Sequence, residues 1–150
     1  MGQNLFPVFD MPLTLTEDVK NEKQYGIALR WNFEEGDFEM NLMGQPLYGN
    51  GYEAWVQWCK KALLTQRWAH YAYGSNAGIE AVEAFKEPDR KVIENSLERT
   101  IAETLLADPM GRTRQVRNFQ FHWNSDEVQV ICEVLGSDGS SAEIDAALKL

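Results

Sequence analysis

Residues 90–135 read RKVIENSLERTIAETLLADPMGRTRQVRNFQFHWNSDEVQVICEVL, and this stretch decides the fold. In its first part, the pairs Val92/Ile93, Ser96/Leu97, Thr100/Ile101 and Thr104/Leu105 recur at three- and four-residue steps. That spacing places them on one face of an α-helix that packs on a core. The helix is expected to stop at Asp108-Pro109, because the residue before a proline is pushed out of the α region.

A β-hairpin is predicted beyond the break. Apolar residues alternate on both sides of the polar residues 124–127, at Phe119, Phe121 and Trp123 before them and Val128, Val130, Cys132 and Val134 after them. A period of two on each side of a polar turn indicates two antiparallel strands. A short third strand is expected around residues 142–145, after the turn at residues 136–141.

The first half of the chain predicts another hairpin and further helices. Residues 27–33 and 38–42 alternate around an acidic turn. Asn50 and Glu53 have the spacing of a capping box, which predicts a helix from there to near Arg67. A short helix is expected before Pro88. Together these elements predict an α+β fold, with two or three helices packed on a small antiparallel or mixed sheet.

The 150 residues suffice for one domain with its own core. Residues 1–24 show no stable period and contain two prolines, yet they are too apolar for a solvated tail. They are predicted to form an N-terminal arm that lies against the domain or a partner. Residues 25–150 are predicted to form the domain, with the helix, corner and hairpin as its centre.

Composition excludes several classes of function. A net charge of −9 argues against nucleic-acid binding and against docking on anionic membranes. No apolar run approaches the roughly 20 residues of a membrane-spanning helix, and no secretory signal peptide is expected. Cys59 and Cys132 occupy apolar positions of a predicted helix and strand. They are expected to be buried free thiols in a protein of the reducing cytoplasm.

The sequence gives no positive sign of catalysis. Glu34, Glu35 and Asp37 would be the candidate acid pair of a glycosidase, but acids in a turn are ordinarily solvated. His70 and His122 lie at no metal-ligand spacing from Cys, Asp or Glu. No nucleophile elbow or dinucleotide-binding glycine pattern occurs. The sequence therefore predicts no catalytic residue, metal site, cofactor or small-molecule substrate.

The corner after the long helix is the strongest structural candidate, and it consists of Asp108, Pro109, Arg112 and Arg114. A carboxylate at a helix end and two arginines at a strand start can form a bidentate ion pair that fixes the corner. A solvated, charged loop is the alternative reading. Local sequence does not choose between these two readings, nor between the two arginines.

Several runs of residues resemble one known family. They are TQRW at 65–68, YGSNAGIE at 73–80, the helix of residues 92–106, Asp108-Pro109, Arg112, Val116 and FQF at 119–121. In order and spacing, over about residues 25–145, they resemble the small tail-lysozyme-like baseplate wedge proteins of contractile phage tails, PBSX-type prophage particles and R-type bacteriocins. That family carries a Glu-Pro-Arg triplet after its long helix. Here Asp108 and Pro109 match its first two residues, two residues intervene, and Arg112 or Arg114 matches the arginine.

The resemblance implies a structural role in spite of the lysozyme label. It implies that the chain joins baseplate to sheath and nucleates sheath assembly, with other baseplate wedge subunits and the tail sheath protein as partners. It also implies a place in an assembled tail or tail-like particle made in the bacterial cytoplasm. An open edge on the C-terminal hairpin would serve as a template for strand addition. The expected partner-binding residues are Val128, Val130, Cys132, Val134 and Ile144.

Two other classes of function are weighed against this one. A lysozyme-type peptidoglycan hydrolase of the tail would need two convergent acids in a cleft, whereas the sequence supplies acids in a turn. A cytoplasmic adaptor would dimerise through the same edge strands.

Overall fold

A computed structural model describes residues 26–150 of the chain. Its elements in chain order are β1 (Ala28–Leu29), β2 (Trp31–Asn32), β3 (Asp37–Phe38), β4 (Tyr48–Gly49), α1 (Gly51–Leu64), α2 (Ala81–Ala84), α3 (Arg90–Leu106), β5 (Thr113–Trp123), β6 (Glu127–Gly136) and β7 (Ser141–Lys149). This order confirms the predicted α+β class. The predicted N-terminal arm, residues 1–24, lies outside the described residues.

The core lies between two helices and one antiparallel sheet, whose strand order is β5-β6-β7. Side chains of β6 and β7 alternate in burial along both strands, as the period of a strand requires. The buried ones are Val128, Val130, Cys132, Val134, Ala142, Ile144, Ala146 and Leu148. Helix α1 packs against β7 and α3 packs against β5, so both helices cover the buried face.

The two long helices follow the sequence pattern closely. The buried face of α3 includes Ile93, Leu97, Ile101 and Leu105, and the helix ends two residues before Asp108. Helix α1 begins with the predicted capping box. Asn50 Oδ1 accepts the backbone N–H of Glu53 at 2.9 Å, and Glu53 Oε2 accepts the backbone N–H of Asn50 at 2.9 Å. Each bond satisfies an N–H group that the first helical turn leaves open.

Two small two-stranded sheets, β1-β4 and β2-β3, precede α1. The β2-β3 pair confirms the first predicted hairpin only next to its acidic turn, with Trp31 opposite Phe38. Ala28 and Leu29 pair with β4 instead of with the second predicted strand. Gln57 of α1 holds these small sheets in place. Its Oε1 accepts the backbone N–H of Trp31 at 2.7 Å, and its Nε2 donates to the carbonyl oxygen of Leu29 at 2.8 Å.

The third strand of the main sheet corrects one sequence expectation. β7 has nine residues and pairs with β6 along its whole length, whereas a short strand was expected. β6 therefore lies in the centre of the sheet, and the open edge predicted on residues 128–135 was placed on the wrong strand. Alternation identifies the buried face of a strand, but it does not identify the strand's neighbours.

Four of the five expected partner-binding residues lie in this central strand. Val128, Val130, Cys132 and Val134 are fully buried in the central strand, where a partner strand could reach them only by displacing β5 or β7. Ile144 is also buried, but it belongs to β7, which is an edge strand. The edges of the sheet are therefore formed by β7 and β5.

Candidate functional site: a buried corner and an open sheet edge

The corner between α3 and β5 is a tight turn that begins at Asp108. The backbone N–H of Gly111 donates to the carbonyl oxygen of Asp108 at 2.9 Å, with Pro109 in the second position of the turn. Proline suits that position because its φ is fixed near the required value. Gly111 has a φ of 64°, in the left-handed region that glycine adopts without a steric penalty. The chain is thereby turned from the end of the helix into the sheet.

Asp108 and Arg112 form a bidentate ion pair inside this turn. Arg112 Nε lies 2.7 Å from Asp108 Oδ2, and Arg112 Nη2 lies 3.0 Å from Oδ1. The same carboxylate accepts the backbone N–H groups of Arg112 at 3.0 Å and Met110 at 3.2 Å. Both charged side chains are at most 5% exposed. Arg112 is therefore the pairing arginine, and Arg114 is exposed near the start of β5.

Helix α1 joins the corner from the other side. The guanidinium of Arg112 lies over the ring of Trp58, 5.4 Å from its centroid. Trp55 Nε1 donates to Thr113 Oγ1 at 2.9 Å, and both residues are buried. Each polar group removed from water thus has a partner, as buried polar groups require. Through these contacts the corner links α1, α3 and the first residue of β5.

The surroundings of Asp108 set the direction of its pKa. Burial by itself would raise the pKa of this carboxyl, but the hydrogen bonds from the side chain and backbone of Arg112 and from the Met110 N–H outweigh it. The pKa of Asp108 therefore lies below its ordinary value, and the carboxylate stays charged. Charge and full hydrogen bonding make the corner a rigid structural unit.

A second polar cluster, which the sequence did not predict, holds the loop between α1 and α2. Arg67 Nη1 lies 2.7 Å from Glu80 Oε1, its Nη2 donates to Thr104 Oγ1 at 2.9 Å, and its Nε donates to the carbonyl oxygen of Gly78 at 3.0 Å. A parallel bridge between Gln66 and Ile79 closes the loop. The loop is thereby fastened to α3.

The outer edge of β7 is regular and open. At the two ends of the β6-β7 ladder, Gly136 N–H donates to the carbonyl oxygen of Ser140, and Leu150 N–H donates to the carbonyl oxygen of Asp126. With the register of the two strands, these bonds determine which residues of β7 form backbone hydrogen bonds with β6. The even-numbered residues 142–148 direct their backbone N–H and C=O groups toward β6. Glu143, Asp145 and Ala147 therefore direct their backbone N–H and C=O groups away from it. The hydroxyl of Tyr52 caps one end of this edge by donating to the carbonyl oxygen of Ser141 at 2.9 Å.

The edge of β5 is irregular. The pairing of β5 with β6 shifts register between Thr113 and Gln115 and again between Arg117 and Gln120. At the second shift, Asn118 has a φ of 57°, and its amide donates to Glu133 Oε2 at 2.7 Å. Such bulges twist an edge away from a regular partner strand. Of the two edges, β7 alone offers an unbroken ladder.

The acids and histidines that the sequence analysis considered for catalysis lie on exposed positions of the structure. Glu34, Glu35 and Asp37 are exposed around the turn of the first hairpin. His70 packs edge-on against Tyr73 with 5.4 Å between ring centroids, and His122 is exposed on β5. Within residues 26–150, no group of three His, Cys, Asp or Glu side chains could hold a metal ion. No helix in this range has the length and apolar character needed to cross a membrane.

Comparison with known proteins then identifies the family. A family model described as contractile injection system sheath initiator matches residues 27–139. The chain belongs to the sheath initiator family. The match spans β1 to the turn before β7, and it includes both the corner and the cluster around Arg67. No curated protein matches the chain.

Family membership supports a structural, sheath-nucleating role in a contractile injection system. It thus confirms the contractile-tail assignment that the sequence resemblance implied, and sheath and baseplate components are the implied partners. A sheath initiator acts by assembly, which suggests a non-enzymatic protein of a tail particle. The match does not extend to the tail-lysozyme-like wedge family in particular.

Proposed function

We propose that this sheath initiator is a baseplate wedge subunit that links the baseplate to the sheath and starts sheath assembly by accepting a strand at the edge of β7. The observation that carries the proposal is the unbroken nine-residue ladder of β7, whose outward backbone groups have no strand partner among residues 26–150. Added strands bind mainly through backbone hydrogen bonds, for which such an edge is a ready template.

The corner provides the rigidity that a template needs. A strand-accepting edge must keep its register and twist while a partner binds, and β7 is held through β6 and β5 to the buried pair of Asp108 and Arg112. Helix α1 supports β7 from the buried face and is tied to the same corner through Trp55 and Trp58. The role assigned to the corner is therefore to position the edge rather than to contact the sheath.

The predicted arm, residues 1–24, is proposed as the attachment to other baseplate wedge subunits. Its sequence supports this role through its high apolar content, which an isolated solvated tail would not favour. The two attachments would then use different parts of the chain, one for the baseplate and one for the sheath.

Substitution of Ala147 by proline tests the strand-addition proposal. Ala147 directs its N–H group away from β6, so Ala147→Pro removes a donor from the open edge and leaves the β6-β7 ladder intact. Particles assembled with this variant are expected to carry tubes without sheath in electron micrographs. Ala147→Thr keeps the N–H group and is the matched control, with normal sheath expected.

Folding of both variants is checked by circular dichroism and thermal unfolding. Normal sheaths on particles that contain a folded Ala147→Pro variant would overturn strand addition at β7. Dimers of the purified wild-type protein that dissociate on Ala147→Pro substitution would instead favour an adaptor that pairs through its own edge.

A further inference from the structure

Two cavities lie along β7. The first, of about 320 Å³, is lined by residues that include Ala142 and Glu143 of β7, Tyr52, Val56 and Lys60 of α1, and Ala28 of β1. The second, also of about 320 Å³, lies at the other end of β7 and is lined by Ala147, Leu148, Leu63, Ala81 and Val82 among others. Both cavities are lined by residues of α1 and β7, and no residue of β6 lines either one.

The distance between the cavities suits a strand that runs along β7. Lys60, which lines the first cavity, also bridges α1 and β7, since its Nζ lies 3.4 Å from Asp145 Oδ1. From Ala142 to Ala147 the strand rises by ~17 Å. An added strand has the same rise, so side chains about four to six residues apart on its inner face would reach the two cavities.

The charges across the outer face of the sheet are unbalanced at this edge. Glu133 of β6 lies directly opposite Glu143 of β7, and like charges in that position destabilise the pair. Arg117 of β5 binds Glu133 with two hydrogen bonds of 2.9 and 3.2 Å. Glu143 makes no ion pair with residues 26–150. Arg117, Glu133 and Glu143 lie in one row across the three strands. A positive charge on a fourth strand, opposite Glu143, would offset the negative charge that has no partner in this row.

We propose that the strand added at β7 comes from another protein, carries Lys or Arg opposite Glu143, and inserts apolar side chains about four to six residues apart into the two cavities. This inference rests on the proposed strand addition and specifies its occupant. An alternating apolar and basic segment satisfies the outward backbone groups, the acidic outer face and both cavities together.

Other occupants fit less well. The apolar part of residues 1–24 contains Pro7 and Pro12, which have no backbone N–H to donate, and Asp10, which adds a negative charge. A second copy of β7 paired antiparallel about Asp145 would place two aspartates opposite each other. A basic, alternating strand avoids both conflicts.

Binding of synthetic peptides to the full chain tests the proposal. Three fluorescent peptides have the nine-residue length of β7. The first alternates Leu with Lys, the second replaces Lys by Glu, and the third replaces Leu by Ala. In fluorescence anisotropy, the first is expected to bind about ten-fold more tightly than either of the others. Glu143→Lys is expected to reverse the order of the first two peptides.

A cavity-filling variant adds an independent test. Ala28→Phe places a ring in the first cavity and is expected to weaken the first peptide about ten-fold. Ala72→Phe introduces the same side chain at an exposed position that lines neither cavity, and no change is expected. Thermal unfolding of both variants confirms that the fold is retained.

Failure of this inference differs from failure of the proposed function. If all three peptides bind equally and Ala147→Pro abolishes their binding, β7 accepts strands without this selectivity, and the inference is overturned while strand addition stands. A photocrosslinker at position 147 that captures residues 1–24 of the same chain would also overturn it. If no peptide binds and Ala147→Pro particles carry normal sheath, strand addition at β7 itself is wrong.

Discussion

Asp108 and Arg112 are joined three times within one turn, twice through the guanidinium and once through the backbone N–H of Arg112. The pair is buried beneath the point where α3 gives way to β5. Taking two charges out of water is costly, and their attraction offsets that cost only when the geometry is good and the remaining polar atoms are bonded. Removing one partner therefore costs more than the pair itself contributes.

Asp108→Asn should destabilise the protein by about 3 kcal/mol, because it leaves the guanidinium of Arg112 buried without a counter-charge. Chemical denaturation followed by circular dichroism measures the loss. Glu133→Gln, which breaks the exposed pair with Arg117, is the control and should cost much less. Equal losses in the two variants would mean that the corner behaves as a solvated loop.

The stability of the corner should also depend on pH in one direction. The pKa of Asp108 is held below its ordinary value in the folded state, so its contribution is complete above the unfolded-state pKa, about 3.9, and is lost as pH falls through the folded-state value. The difference in unfolding free energy between wild type and Asp108→Asn should be constant near neutral pH and shrink below about pH 4. A difference that persists unchanged in acid would contradict this assignment.

Local patterns predicted most of the fold. The helix from Arg90, the capping box at Asn50 and the hairpin around residues 124–127 each depend on residues close together in the sequence, and all three are present. The bidentate pair was also accessible to sequence reasoning, because its two residues lie within one turn. The sequence left open both whether the pair forms or the loop is solvated and whether Arg112 or Arg114 is the partner, and the three-dimensional geometry decided both.

Non-local pairing accounts for what the sequence did not predict. The length of β7 was underestimated because two of its four buried residues, Ala142 and Ala146, are small and give a weak apolar signal. The open edge was misplaced because it depends on that strand. The cluster around Arg67 joins residues 11, 13 and 37 positions away, at separations that no local motif encodes.

Both cysteines should be unreactive in the folded protein. Burial raises the pKa of Cys59 and of Cys132 to about 12, so almost no thiolate forms at mildly alkaline pH. Iodoacetamide should modify neither residue while the protein is folded and both after unfolding in urea, as measured by mass spectrometry. Modification of folded protein at the rate of a free thiol would mean that the core opens readily around α1 or β6.

Gly78 should be the glycine of the loop that tolerates substitution least. Its φ is 85°, and a Cβ atom there would lie 2.5 Å from the carbonyl oxygen of Thr65, in the backbone that pairs with Ile79. Gly78→Ala should therefore destabilise the protein by about 3 kcal/mol, from backbone strain together with the clash.

Gly36→Ala isolates the strain, because Gly36 has a φ of 71° with no atom within 4 Å of an added Cβ. It should cost about 1 kcal/mol. Chemical denaturation measures both, and similar losses would show that the loop moves aside at Gly78 and that the bridge between Gln66 and Ile79 is not rigid.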